Sequence, residues 1–164
     1  MTSEQGNSKK EVRPVNKRGA ARLAAVQAIY QLEVSEARVN DVLSEYEVFR
    51  LGQEVDGELY READAGWFRD LVQIVFEEQR KIDPALHKML SQDWPLKRVD
   101  TTLRAILRVG MGELLRKKDV PAKVIINEYI EITKAFYEQE EPKLVNGIMN
   151  RLARDLRPEE FTSE

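Results

Sequence analysis

The chain has 164 residues, of which 42% are hydrophobic and 34% charged, with a formal net charge of −3; this suffices for one domain, or two small subdomains sharing a core. Cysteine is absent and histidine occurs once, which excludes disulfides, thiolate zinc sites, Cys/His nucleophilic pairs and multi-histidine metal centres. Mean hydropathy is −0.51 and no apolar run nears the roughly 18–20 residues that span a bilayer; the leading MTSEQGNSKK does not read as a secretory signal, so a cytoplasmic, membrane-free protein is expected.

Charge is segregated along the chain. Residues 1–22 hold Lys9, Lys10, Arg13, Lys17, Arg18 and Arg22 against Glu4 and Glu11, a formal +4 facing −7 in the remainder. A basic arm on an acidic body fits contact with a polyanion, most simply a nucleic acid, with a solubilising tail as the plain alternative. Residues 1–16, rich in Ser, Asn, Gln and charge, are expected to be a disordered basic arm.

Beyond the arm, helical periodicity dominates and strand alternation is nearly absent. A first helix is expected over Arg18–Val34, apolar nearly all round, with five alanines allowing close approach; such a helix is central. Val39, Val42, Leu43, Tyr46 and Phe49 form the single stripe of a second helix, and 51–64 reads as a solvated loop. A third helix is expected over Ala65–Ile82, broken at Asp83-Pro84, then a shorter one carrying Leu86, Met89 and Leu90. Asp93-Trp94-Pro95 is the best internal boundary. Three more helices are expected at Asp100–Lys117, Pro121–Tyr137 and Pro142–Leu156, with Gly147 in the last needing close backbone packing to offset its cost of about 1 kcal/mol. The expected fold is all-α: about seven helices in two three-helix lobes, 17–93 and 94–158, with a tail at 159–164 and one compact domain overall.

Candidate chemistry is sparse. Arg18 and Arg22, spaced i, i+4, place two guanidiniums at the start of the first helix, where the dipole disfavours cations, so binding is a better reason for them than local stability. Tyr30, Trp67 and Phe68 are either stacking platforms or core, Trp67 more simply core. Arg108 lies between apolar positions and is expected to be paired with an acid. The Gly110-Met111-Gly112 run lies inside a helix and lacks the Lys-Ser/Thr of a phosphate loop. His87 reads as an ordinary surface residue, and the Asn127, Glu128, Glu131 stripe as chance; no catalytic, cofactor or metal site is expected.

Several ordered segments then resemble the NusB family: Arg18-x-x-x-Arg22 with Val26-Gln27-Ala28-Ile29-Tyr30; Phe68-Arg69-Asp70-Leu71; Ile106-Leu107-Arg108; Glu113-Leu114; Asp119-Val120-Pro121; Ile126-Asn127-Glu128; and Lys143-x-Val145-Asn146-Gly147-Ile148. The resemblance implies a non-enzymatic transcription antitermination factor that binds single-stranded boxA-type RNA of rRNA operons together with NusE, a small-subunit ribosomal protein, in the RNA polymerase antitermination complex. It implies RNA contact around Arg18, Arg22, Tyr30, Phe68 and Arg69, and marks Glu140 as an acidic loop position tied to RNA affinity; Lys17, from the basic segment, and the Gln27 amide beside Tyr30 are added to them as RNA-binding candidates. The chain departs from the family in a thinner arginine run at 18–22 and in Leu144, where phenylalanine is usual. An RNA-independent protein–protein adaptor or homodimeric helical scaffold is the competing expectation.

Overall fold

The computed structural model describes residues 14–35, 39–45, 64–93 and 99–162. Among them lie seven α-helices and no strand: α1 (Pro14–Ser35), α2 (Val39–Glu45), α3 (Ala65–Glu77), α4 (Gln79–Asp93), α5 (Thr101–Arg116), α6 (Ala122–Phe136) and α7 (Glu140–Leu156), then a 3-10 turn at Pro158–Phe161. The all-α expectation holds. Expectations for residues 1–13, Tyr46, Phe49, most of the 51–64 loop and Trp94-Pro95 fall outside the described residues.

α5 is the axis of the molecule: it packs on α1, α3 and α4 to one side and on α6 and α7 to the other. Residues Leu103, Ala105, Ile106, Leu107, Val109, Gly110, Met111 and Gly112 are all buried, so nearly every face of α5 is covered. A Cβ at Gly110 would lie 2.8 Å from Met149 Sδ and 3.3 Å from Tyr129 Cγ, so the glycine lets α6 and α7 side chains sit against the α5 backbone. α1 is the second central helix. Ala20, Ala21, Ala24, Ala25, Val26, Ala28 and Ile29 are buried between α3 and α5, as its small-residue composition requires. One apolar cluster runs from Ala21 in α1 to Phe161 beyond α7, so the two expected lobes share a continuous core.

Side-chain caps fix where helices begin. Asp64 and Asp100 sit in extended backbone and accept from Trp67 N and Leu103 N, each at 2.9 Å, satisfying exposed N–H groups of α3 and α5. Asp64 also donates its own N–H to the Lys17 carbonyl at 3.1 Å, tying the start of α3 to α1.

Four expectations are corrected. Helicity starts at Pro14, so 14–16 belong to α1 rather than to the arm. The break after α3 is at Glu78, not at Asp83-Pro84; Pro84 lies within α4, on its exposed side, where water can serve the one carbonyl the proline leaves unpaired. Gly147 is exposed, and a Cβ there would meet nothing within 4 Å, so no internal packing explains it. The expected 159–164 tail is partly built in: Phe161 is buried, and Glu160 accepts from the first N–H of α6 at Ala122, 2.8 Å away.

That last contact belongs to a buried device around Arg157, which is fully enclosed. Its guanidinium donates to the carbonyls of Leu114 at 3.1 Å, Lys117 at 2.8 Å and Val120 at 2.5 Å, and to Glu160 Oε2 at 3.1 Å. The Leu114 carbonyl, in the last turn of α5, has no helical partner, while that of Lys117, just past the helix, also accepts from Val120 N at 3.1 Å. Arg157→Met keeps the bulk but orphans the Leu114 and Val120 carbonyls; we expect a loss of about 3 kcal/mol in urea unfolding.

Candidate nucleic-acid interface

The tie between Asp64 and Lys17 brings Trp67 beside the first turns of α1. Arg18 is exposed, and its guanidinium carbon lies 3.7 Å from the Trp67 ring centroid. Lys117, from the end of α5, places its Nζ 4.3 Å from the same centroid and donates to Asp70 Oδ2 at 2.8 Å. Trp67 is itself buried, as its core reading required, and its Nε1–H has no acceptor among the described residues. Cation–π contacts of this kind contribute about 0.5–2 kcal/mol each, enough to hold an otherwise mobile arginine in one place. No carboxylate pairs with Arg18 among the described residues. Its charge is therefore presented outward on an aromatic base.

Arg22 goes the other way. One turn deeper, where α5 and α6 close over α1, it is only 2% exposed. Its Nε donates to Glu113 Oε1 at 2.9 Å and its Nη2 to Oε2 at 2.7 Å, a bidentate pair, and Nη1 lies 3.4 Å from Glu128. Tyr129 closes the cluster by donating its hydroxyl to Glu113 Oε1 at 2.7 Å. Burial alone would lower the Arg22 pKa, but the hydrogen bonds and charge of Glu113 outweigh it and hold the guanidinium above its usual range. Burial first, then the charge of Glu113, pushes the Tyr129 phenol well up. The expectation of two arginines facing one ligand is thus corrected: Arg22 is an internal strut.

Phe68 is likewise corrected. It is fully buried in the core cluster and cannot stack on a base. Arg69 is exposed and lines a groove of about 330 Å3 with Gln73, Glu77, Arg116 and Lys117. Lys17 is exposed beside Arg18. Tyr30 is 41% exposed and, with Val26, Gln27, Thr102 and Phe136, lines a second groove of about 290 Å3. Twelve residues separate Tyr30 from Arg18, about 18 Å along α1. Glu140 is exposed in the first turn of α7. The surface therefore offers a cationic end (Lys17, Arg18, Arg69) and, farther along, an amide–aromatic groove (Gln27, Tyr30).

Lys117, Phe136 and Glu113 were not singled out by sequence reasoning as site residues. In sequence, the Arg116-Lys117-Lys118 run only suits the negative end of the helix dipole, and nothing local ties Glu113 to Arg22, 91 positions away. Arg108, expected to be paired, bonds Asp83 at 3.0 Å and Glu33 at 2.9 Å, and Arg104 also pairs with Glu33. His87 is exposed. Among the described residues no acidic or histidine group could hold a metal ion, and no helix is long and apolar enough to cross a membrane.

Stability should respond to this cluster in two ways. Glu113→Ala removes both hydrogen-bonded oxygens from a buried guanidinium and leaves it only Glu128, 3.4 Å away; we expect it to cost about 3 kcal/mol in urea unfolding, against less than about 1 kcal/mol for Arg18→Ala. Because folding raises the Tyr129 pKa, the stability its neutral phenol contributes is complete below the ordinary phenol value near 10 and is lost as pH rises past it. Stability should therefore fall on the alkaline side of about pH 10. Tyr129→Phe should flatten the fall, leaving the part due to Tyr137, whose pKa is raised by burial and its bond to Asp100.

With this geometry in place, comparison with known proteins is direct. The sequence profile of the NusB family matches residues 19–154. The transcription antitermination protein NusB of Mesorhizobium japonicum is 57% identical over 148 residues, covering 90% of this chain and 96% of that protein. That of Allorhizobium ampelinum is 54% identical over 157 residues, covering 96% and 97%. Among solved structures, T. maritima NusB aligns with a TM-score of 0.68 at 30% identity, covering 88% of this chain and 96% of the other. A NusB solved with NusE and double-stranded RNA aligns at 0.64 and 20% identity, covering 85% and 97%, a likeness of fold. The chain belongs to the NusB family of transcription antitermination proteins.

Proposed function

We propose that this chain is a non-catalytic antitermination factor that binds a single-stranded, boxA-type RNA of rRNA operons together with NusE, as part of the RNA polymerase antitermination complex in the cytoplasm. Family membership supports the class, and a fold neighbour solved with NusE and RNA supports the partners. The observation that carries the reading to particular residues is Arg18, exposed on the Trp67 ring with no carboxylate partner among the described residues.

In this reading Lys17, Arg18 and Arg69 neutralise phosphates and set the strand's position. Gln27 and Tyr30 then meet unpaired bases by amide hydrogen bonding and stacking. Arg22 and Phe68 act from inside: the first fixes the rotation of α1, the second supports Trp67 from the core. The acidic remainder of the chain disfavours RNA elsewhere and favours encounter with a basic ribosomal protein.

The test is RNA affinity by fluorescence anisotropy, with and without NusE, for a boxA-like strand and a scrambled one. Arg18→Ala should weaken binding several-fold and reduce the log–log salt slope by about 0.7, one phosphate contact on a single strand. Unchanged affinity and slope would favour the RNA-independent adaptor instead.

A further inference from the structure

Two positive charges share the Trp67 ring: the Arg18 guanidinium carbon lies 3.7 Å from its centroid and Lys117 Nζ 4.3 Å from it. Lys117 also lines the groove that holds Arg69, so it stands between the two arginines and joins their surfaces. Its ammonium donates to Asp70 Oδ2 at 2.8 Å. The Asp70 side chain is 55% exposed and that of Lys117 19%, so both water and a bound strand can reach this ion pair, and a pair so open is weak. Helix-end electrostatics do not account for Lys117. It caps the C-terminus of α5, where a cation is favoured, but the buried Arg157 guanidinium already bonds the Leu114 and Lys117 carbonyls there. Packing explains the apolar stem and leaves the charge without a structural reason.

We propose that Lys117 is a phosphate contact for the RNA strand between Arg18 and Arg69, and that Asp70 is a built-in competitor which the strand displaces. This rests on the RNA-binding reading above and adds to it one contact residue and a control on affinity. In the free protein the Asp70 carboxylate stands where a phosphate oxygen would, and it neutralises Lys117. A phosphodiester brought in by Arg18 exchanges for it. The four-carbon lysine stem lets the ammonium swing from one anion to the other without backbone movement, and the exposed Asp70 returns to water at small cost. Because the strand must win this exchange, Asp70 holds RNA affinity below what the cations alone would give.

Anisotropy with a labelled boxA-like strand, with and without NusE, reads both parts. Lys117→Gln, which keeps most of the stem, should weaken binding several-fold and reduce the log–log salt slope by about 0.7. Asp70→Asn should tighten binding by about twofold to fivefold, and that gain should vanish in the Lys117→Gln background. Unchanged affinity and slope in Lys117→Gln, beside an Arg18→Ala variant that binds more weakly, overturns this inference and leaves the broader reading intact. An equal gain from Asp70→Asn in both backgrounds also overturns it, because the carboxylate then acts on the strand by long-range charge and not through Lys117. Unchanged affinity in Arg18→Ala as well, or a wild type that binds no RNA with or without NusE, overturns the broader reading itself.

Discussion

The structure depends on one buried ionic cluster. Glu113 lies fully enclosed in α5, the helix at the centre of the packing, and an isolated carboxylate there would be prohibitively costly. Arg22 reaches it from α1 with two hydrogen bonds, and Tyr129 reaches it from α6 with a third. α1 is thus tied at one point to two consecutive helices far along the chain, α5 and α6, by groups that tolerate little displacement. Apolar burial supplies the bulk of the folding free energy, but it would allow the alanine-rich α1 to slide or rotate against its neighbours. The charge cluster does not.

Consequences spread outward from that point. With Arg22 fixed inward, Arg18 one turn earlier emerges beside Trp67, and Tyr30 two turns later emerges beside Phe136. Asp64 caps α3 and bonds the Lys17 carbonyl, so the tryptophan is brought to the arginine by the backbone itself. At the same C-terminal end of α5, Arg157 does for terminal carbonyls what Glu113 does for Arg22: it lets a polar group lie in the interior by giving it partners. The candidate RNA surface is therefore set by interior charges as much as by exposed ones.

Most of the fold was legible in the sequence because helical periodicity is a local signal. The stripes of α5, α6 and α7 and the small-residue composition of α1 place these helices to within a few residues. Pro84 misled because a proline is a strong local mark, whereas the actual break at Glu78 carries no such mark in the sequence. The candidate site was only partly legible. Arg18 and Arg22 share a spacing and a charge, and which one turns inward is decided by Glu113, far along the chain. Phe68 differs from Tyr30 in burial above all, a property that helix register relative to neighbours fixes and that no short motif records. Gly147 read as a packing glycine because glycine inside a helix usually is one; its open surroundings are visible only in three dimensions.

The central claim is that α1 divides its two arginines, Arg22 to the interior and Arg18 to RNA. It is tested most directly by following the arginine side-chain Nε–H signals in NMR spectra while a boxA-like strand is added. The account predicts a slowly exchanging Arg22 Nε–H that does not move on titration, and an Arg18 signal that shifts and becomes protected. A freely exchanging Arg22 that responds to RNA, with Arg18 unaffected, would contradict it.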